Sequence, residues 1–313
     1  MEETVNIKGK KSKLYSARFS DYVIAFICLL VIILCVLPMI NLLARSFSST
    51  GALQRGEVTL LPHVGEQDTQ KYVYEFAGVN FTTDAYAAIF GSPSYVRSMI
   101  WTALLTVMCT LLSMFLTVSC AYPLVYDKLK GRQFLNALFL FTMYFGAGLI
   151  PTYIVLNELK LINHPLVLML PFSLSVFNML IMRSFLFGIP DSLRESAEID
   201  GAGPIRILIS IYLPLSTSVL ATLSLFYAVG RWNGFSDVLQ FMPNNKPYYP
   251  IQYLLYNIIN NQTSADYSET TVGATSDMFK AATVMFATVP ILMVYPWLQR
   301  YFIKGVTIGA VKG

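Results

Sequence analysis

The chain has 313 residues, of which 55% are hydrophobic and only 13% charged, about half the roughly 25% charged share of soluble globular domains. There is too little polar side chain to clothe a water-soluble body of this length, so the composition excludes an ordinary soluble domain and points to lipid as the solvent. A net charge of +4, with no arginine-rich stripe interleaved with aromatics, gives nucleic acid no footprint.

Residues 1–21 read as a cytoplasmic N-terminal segment carrying Lys8, Lys10, Lys11, Lys13 and Arg18. A bilayer-spanning helix needs about 20 mainly apolar residues, and the first predicted span runs from Tyr22 to Ala44. Its apolar run exceeds the roughly 7–15 residues of a secretory signal and no small-x-small cleavage site follows, so it is read as a retained anchor. Residues 45–97 form an extracellular loop, in which Gly51 to Tyr74 looks like an idiosyncratic extension. Near its end, Thr83 or Asp84 is a candidate N-cap for a surface helix over Ala85–Phe90, closed by Gly91 and Pro93.

Five further spans follow: Ser98 to Tyr122, Phe134 to Leu156, Pro165 to Met182, Ile207 to Gly230 and Ala281 to Leu298. No Asp, Glu, Lys, Arg or His interrupts any of the six, and one such group at the bilayer centre costs about 2.5–3.5 kcal/mol. Prolines 38, 123, 151, 290 and 296 are tolerated where neighbouring helices satisfy the freed carbonyls. The basic segments, Lys8 to Arg18, Lys128 to Arg132, and Arg300, Lys304 and Lys312, fall on one side if the chain crosses six times. Positive residues collect in the cytoplasm, so both termini are expected inside. The chain then divides into the first span (22–44), the outer loop, a permease core over 98–303 and a cytoplasmic tail over 304–313, and the segment 237–280 joins the outer loop outside.

Cys28, Cys35, Cys109 and Cys120 lie in apolar runs without a C-x-x-C pair, and His63 and His164 stand apart. They read as small hydrophobes and isolated imidazoles, with no metal site expected.

The loop over 190–206, IPDSLRESAEIDGAGPI in its surroundings, is the polar exception on the inner side. Ser192 and Glu195 fit a capping box, Gly201 suits a left-handed helix end and Pro204 the first turn of the next helix. The expected shape is a bent helical finger with Ala197, Ile199 and Ala202 as a small apolar face and Glu195, Glu198 and Asp200 as acceptors. On these residues alone a plain connecting loop is the simpler reading.

E-S-A-E-I-D-G-A-G followed by I-Y-L-P at Ile211 to Pro214 resembles the EAA motif of ABC importer permeases, with Ser196 in place of the usual alanine. IPTYIVLNELKLINHPLVLMLP, LFYAVGRWNGFSD and the ending QRYFIKGVTIGAVKG narrow the resemblance to maltose-type carbohydrate permeases, and further to bacterial oligosaccharide and polysaccharide permeases. It covers the chain from about Phe81 onward. It implies an all-α membrane protein with six transmembrane helices in the type I ABC importer fold, set in the bacterial cell membrane. It also implies a second homologous permease, a dimer of ATPase subunits that hold ATP and Mg, and an extracellular solute-binding protein that delivers an oligosaccharide. No cofactor is expected in this chain, and the chain itself is not expected to be an enzyme. Glu195, Ser196, Ala197, Asp200, Gly201 and Ala202 would couple to the ATPase. Lys304, Gly305, Lys312 and Gly313 would form a second contact with it, where on the residues alone the tail reads as a frayed end.

Sugars are held by aromatic faces and by amides or hydroxyls. Tyr144, Tyr153, Asn157, Asn178, Tyr227, Arg231, Trp232 and Asn233 are the pathway candidates. Each has a structural alternative: Asn178 as an interhelical bond, Tyr and Trp as an interfacial belt, Arg231 as a snorkelling cation. A non-carbohydrate solute remains the alternative cargo. An ion-coupled transporter would need ionisable groups at membrane depth, and the spans lack them. A membrane enzyme would need a catalytic motif, and neither H-E-x-x-H nor G-x-S-x-G occurs. Nor is there a G-x-x-x-x-G-K-[ST] loop to cradle nucleotide phosphates.

Overall fold

The computed structural model describes residues 19–65, 68, 70–126, 129–260 and 277–310, apart from the side chains of 19, 20, 295 and 297–310. The basic N-terminal segment, Lys128, the stretch 261–276 and Lys312 with Gly313 lie outside the described residues.

Helix α1 (Phe19–Ser46) is apolar all round, and no residue of its most apolar stretch is buried within the chain. Such a helix needs an apolar surrounding to be stable. Asp21 in its first turn and Arg45 in its last match the helix dipole.

The segment expected as a loop extension folds into a small lobe. Ser49 caps α2 (Thr50–Arg55), which ends at Gly56 with φ of 74°. Strands β1 (Val73–Phe76) and β2 (Val79–Thr82) pair antiparallel, joined by Ala77 and Gly78, both at positive φ, as a tight two-residue hairpin turn requires. The surface helix appears as α3 (Asp84–Gly91) with Thr83 at its N-cap but no side-chain cap. Asp84 instead accepts the backbone N–H groups of Lys71 and Tyr72 at 2.8 and 2.9 Å. A row of rings, Tyr74 on Phe81, Phe81 against Phe47, Phe47 against Tyr86, runs from hairpin to helix.

Helix α4 (Pro93–Ala121) starts with proline at its first position, where no N–H is needed. Its buried residues are Tyr95, Ser98, Thr102, Leu105, Thr106, Cys109, Ser113, Thr117 and Ala121, a stripe at three- and four-residue spacing that is mostly small or hydroxylic. Small side chains let helices approach closely in an apolar medium, and α4 packs on two later helices, α7 (Val176–Phe187) and α11 (Thr217–Trp232).

Of the three spans that follow, the third and fifth are bent, and the fourth starts late as regular helix. After a 3-10 turn (Pro123–Val125), α5 (Arg132–Tyr144) and α6 (Leu149–Glu158) meet at 113°. Gly148 takes φ of 83° and Pro151 falls in the first turn of α6, so the proline's missing N–H breaks no bond. The expected helix from Pro165 begins instead as a 3-10 turn (Pro165–Leu168). Regular helix resumes only at α7 (Val176–Phe187), beyond Pro171, where Ser175 supplies the cap. Helix α8 (Asp191–Ile199) leaves α7 at 72°.

The fifth expected span also divides. Helix α9 (Pro204–Ile207), a π-helical turn (Leu208–Tyr212) and α10 (Leu213–Leu215) form one rod that meets α11 (Thr217–Trp232) at 84°. Pro214 cannot donate to the carbonyl four residues back and its ring crowds that carbonyl. The wider π turn just before it relieves both. Helix α12 (Ser236–Phe241), a 3-10 turn (Lys246–Tyr248) and α13 (Ile251–Ile259) lead to α14 (Asp277–Ala310). That last helix continues past the expected end at Leu298 and includes the backbone of Lys304 and Gly305. Among the described residues, three helices are long and apolar enough to cross a membrane, and the three bent pairs raise the number to as many as six.

Two cores lie along α4. One joins α3, the start of α4, α12, α13 and α14 around Ile89, Leu105, Phe241 and Ile251. The other joins the end of α4 to α7 and α11 around Leu124, Met179, Leu186, Tyr212 and Leu223.

In the lobe, Asp68 accepts from Arg55 at 3.0 and 3.2 Å, from Ser49 and from the Gly65 N–H at 3.1 Å. The Arg55 guanidinium, then the Ser49 hydroxyl, hold its carboxyl well below the usual carboxylate range. A depressed folded-state pKa gives stability that is complete above the unfolded value and is lost as pH falls through the folded one. The lobe is therefore expected to keep its amide-exchange protection at mildly acid pH and lose it only in strong acid. Asp68→Asn should show weakened protection over 49–57 at neutral pH; wild-type protection in that variant would contradict the staple.

Candidate functional site

The polar loop folds as a hook, and its turn is closed by backbone geometry. Gly201, at φ of 78°, donates its N–H to the Glu198 carbonyl at 3.1 Å, and Ala202 donates to Ala197 at 2.9 Å. This pair of bonds is the Schellman ending, which satisfies the helix's last carbonyls. Ala197 and Ala202, its apolar partners, both pack on the second core. Pro204 opens α9 at its first turn.

The capping box expected between Ser192 and Glu195 does not form. Pro190 is the N-cap and Asp191 the first helical residue, so Ser192 and Glu195 both lie inside α8. The Ser196 hydroxyl bonds back to the Ser192 carbonyl at 2.8 Å; the serine in the alanine position thus satisfies itself within its own helix. Arg194 takes over the organising role. It pairs with Asp191 at 3.0 Å and Glu198 at 3.4 Å and lies over the Tyr126 ring at 5.1 Å.

Tyr122, at the end of α4, bonds the Tyr126 hydroxyl and donates to the Pro204 carbonyl at 2.8 Å. Its ring also meets Tyr212 edge-on at 5.3 Å. The hook is thus pinned to α4 on both sides of its bend. Glu195, Ser196, Asp200 and Gly201 face outward, and Ile199 stands at the tip with 86% of its surface exposed.

At the other end of the shared packing, a cavity of about 390 Å³ opens between α4, α7 and α11. It is lined in part by Ser113, Phe172, Asn178, Phe226, Tyr227 and Arg231. The Tyr227 hydroxyl bonds Thr117 at 2.7 Å and accepts from the Ser175 N–H at 3.1 Å. Arg231 and Asp237 form a two-pronged pair in which each side chain is only 9% exposed. Arg231 also donates to the carbonyls of Leu168 at 3.0 Å and Gly234 at 3.2 Å. It therefore clamps α11 to α12 and to the 3-10 turn, a structural task that neither snorkelling nor a free cation would perform.

Of the eight pathway candidates, Asn178, Tyr227 and Arg231 come together at this cavity. The other five do not line it. Tyr144 is 74% exposed; Tyr153 stacks on Phe241; Asn157 sits in α6. The Trp232 indole donates to the Ala287 carbonyl at 3.1 Å, and Asn233 bonds the Val229 carbonyl as the α11 cap. Ser113, Phe172, Phe226 and Asp237 were not anticipated. The small-residue stripe of α4 is the sequence signal that could have found Ser113.

Residues 88–308 match the family described as binding-protein-dependent transport system inner membrane component. The chain belongs to that family. It is 36% identical over 95% of its length to the polygalacturonan/rhamnogalacturonan transport system permease protein YtcP of Bacillus subtilis (strain 168), covering 99% of that relative. It is 27% identical over 89% of its length to the arabinooligosaccharides transport system permease protein AraQ of Halalkalibacterium halodurans, covering 91% of it. A solved bacterial ABC transporter involved in the import of the acidic polysaccharide alginate contains a chain that superposes with a TM-score of 0.79 at 25% identity, covering 92% of this chain and 99% of that one. This inner-membrane permease therefore presents two features in one frame, a hook and a cavity, with α4 between them.

Gly201→Ala meets no neighbouring atom within 4 Å, so its cost is the left-handed backbone alone, about 1–2 kcal/mol. Faster amide exchange across α8 is expected, and unchanged exchange would show that the turn does not need its glycine. Asp237→Ala strands a buried guanidinium and should cost about 3–5 kcal/mol of stability, read by thermal unfolding. Arg231→Met combined with Asp237→Leu should recover most of that loss. A double variant as unstable as the single one would mean that the pair does more than neutralise itself.

Proposed function

We propose that this permease forms one half of the translocation pathway of an ATP-driven oligosaccharide importer, and that the hook over 190–206 receives the motion of a separate ATPase. The observation that carries the proposal is the linkage at Tyr122. The hydroxyl that holds Pro204 belongs to the same helix whose Cys109 and Ser113 line the cavity. A displacement of the hook is thereby a displacement of the cavity wall. The carbohydrate transport names of the relatives and the alginate importer support an oligosaccharide as cargo. The cavity's rings, hydroxyls and amide suit it chemically.

In this reading the chain crosses the membrane six times with both termini inside, and the hook lies in the cytoplasm. ATP and Mg sit on a dimer of partner ATPase subunits, since no phosphate-cradling loop occurs in the chain. Glu195, Ile199, Asp200 and Gly201 contact that dimer; Ser196 spaces the helix, while Ala197 and Ala202 hold the hook to the core. A second homologous permease completes the pathway, and an extracellular binding protein delivers the sugar. The end of α14, with Lys304 and Gly305, and Lys312 and Gly313 beyond it give the ATPase a second contact.

Reconstitution tests the assembly: ATP-dependent sugar uptake is expected only with all partners present. Uptake by this chain alone on an ion gradient would overturn the proposal. Asp200→Arg tests the hook. Arginine at a helix C-terminus suits the dipole, so the hook should fold and the complex assemble. Substrate-stimulated ATP hydrolysis should fall about ten-fold or more from charge reversal at a docking surface, and wild-type stimulation would remove the hook from the coupling path.

A further inference from the structure

Helix α1 meets the small lobe at a definite level. Residues 22–40 of α1 are all exposed, and a helical shaft of that length rises about 28 Å, close to the roughly 30 Å of a bilayer's hydrocarbon core. Asn41 is the first residue beyond the shaft, and its side-chain amide donates to the Thr59 carbonyl. This bond ties the bend that follows α2 to the height at which acyl chains give way to headgroups. Leu60 and Leu61 come next in the chain and lie within about 7 Å of that height, the reach of two residues. They are 46% and 64% exposed.

The bend is built to hold them out. At one side of its base the Glu57 N–H donates to the Ala52 carbonyl at 3.1 Å. At the other, the His63 N–H donates to the Ser48 hydroxyl at 3.0 Å, and the His63 carbonyl accepts from the Ser49 N–H at 3.0 Å. Charged groups gather at the same base: Arg55 pairs with Glu57 at 2.9 Å, and the His63 Nε2 lies 3.7 Å from the Glu57 carboxylate. The base is thus polar and braced, and the tip is apolar. A single exposed leucine is ordinary on any surface; two in succession on a fixed bend, beside a helix that itself needs an apolar surrounding, share that helix's solvent.

We infer that Leu60 and Leu61 form a wedge that seats the small lobe in the bilayer leaflet at the C-terminal end of α1. Apolar side chains on an otherwise polar element sink about 5–10 Å into the boundary of headgroups and acyl chains, which is the depth the Asn41 bond sets. Continuity with the exposed shaft of α1 identifies the occupant as lipid. Asp84 ties the lobe to α3 through the N–H groups of Lys71 and Tyr72, so the wedge also fixes the height of α3. The inference rests on α1 spanning the bilayer, whichever side its end faces.

The test is photo-crosslinking in the whole complex, reconstituted with its partner subunits in vesicles of phosphatidylethanolamine and phosphatidylglycerol. Leu60→p-benzoylphenylalanine and Leu61→p-benzoylphenylalanine are made singly, with Leu34→p-benzoylphenylalanine on the exposed shaft as reference, and adducts are identified by mass spectrometry. Phospholipid adducts are expected at residue 60, 61 or both, at a yield comparable with that at 34. Loss of lipid adducts at both positions overturns the inference, as do adducts to the second permease or to another segment of this chain in place of lipid. Transport is not read, so failure at 60 and 61 with lipid still found at 34 strikes the wedge and leaves the importer reading standing. Absence of lipid at 34 as well removes α1 from the bilayer, and the wedge with it.

Discussion

The Tyr122 hydroxyl reaches the Pro204 carbonyl at 2.8 Å, and the mechanical continuity of the molecule depends on this contact. Helix α4 is 29 residues long, roughly 43 Å at the usual rise, and it passes from one core to the other. Without a tie at its far end, α8 and α9 would be a flap hinged at Gly201. With Tyr122, Tyr126, Arg194 and Tyr212 in one cluster, the flap becomes a stiff extension of α4. Rings and a guanidinium suit the task because they are broad, rigid and joined in several directions at once.

A related constraint governs the bends. In an apolar solvent a broken helix must still satisfy its free N–H and C=O groups. The breaks here occur where local chemistry supplies that need: Gly148 with Pro151 in the next first turn, Ser175 as a cap, the π turn before Pro214. Hydropathy registers apolar length, and the first, second and sixth expected spans fall on long apolar helices. It registers no direction, so the third and fifth emerged as angled pairs. Pro151 and Pro171 were visible, but whether a proline kinks a helix or begins one depends on where its neighbours let the helix start.

The hook was legible because its determinants are local. Gly201 and Pro204 fix a turn through their own backbone preferences, and Ala197 with Ala202 meet across it. The capping box failed for an equally local reason: Pro190 starts the helix early, and Ser192 is then one of its inner residues. The cavity was less legible because its contacts join distant residues. Thr117 meets Tyr227 across 110 positions, and Cys109 meets the Leu168 carbonyl across 59. Asn178, Tyr227 and Arg231 were found by residue type, but type alone did not separate them from Trp232 and Asn233, whose polar groups are spent on backbone carbonyls. The small lobe was least legible of all, since Asp68 and Asp84 organise it through bonds to residues 12 to 19 positions away.

The Arg231 and Asp237 pair decides how much charge the cavity wall shows. An unpaired guanidinium in a low-dielectric wall would grip an anion strongly, and a site that binds too tightly releases slowly. Asp237 takes up that charge at two oxygens, and the Leu168 and Gly234 carbonyls occupy further donors. The described wall then includes Ser113, Ser175, Ser236, Asn178, Tyr227 and two phenylalanine rings, with the buried Arg231 Nε left without a hydrogen-bond partner. In the pathway proposed above, weak and distributed contacts of this kind would favour passage over storage.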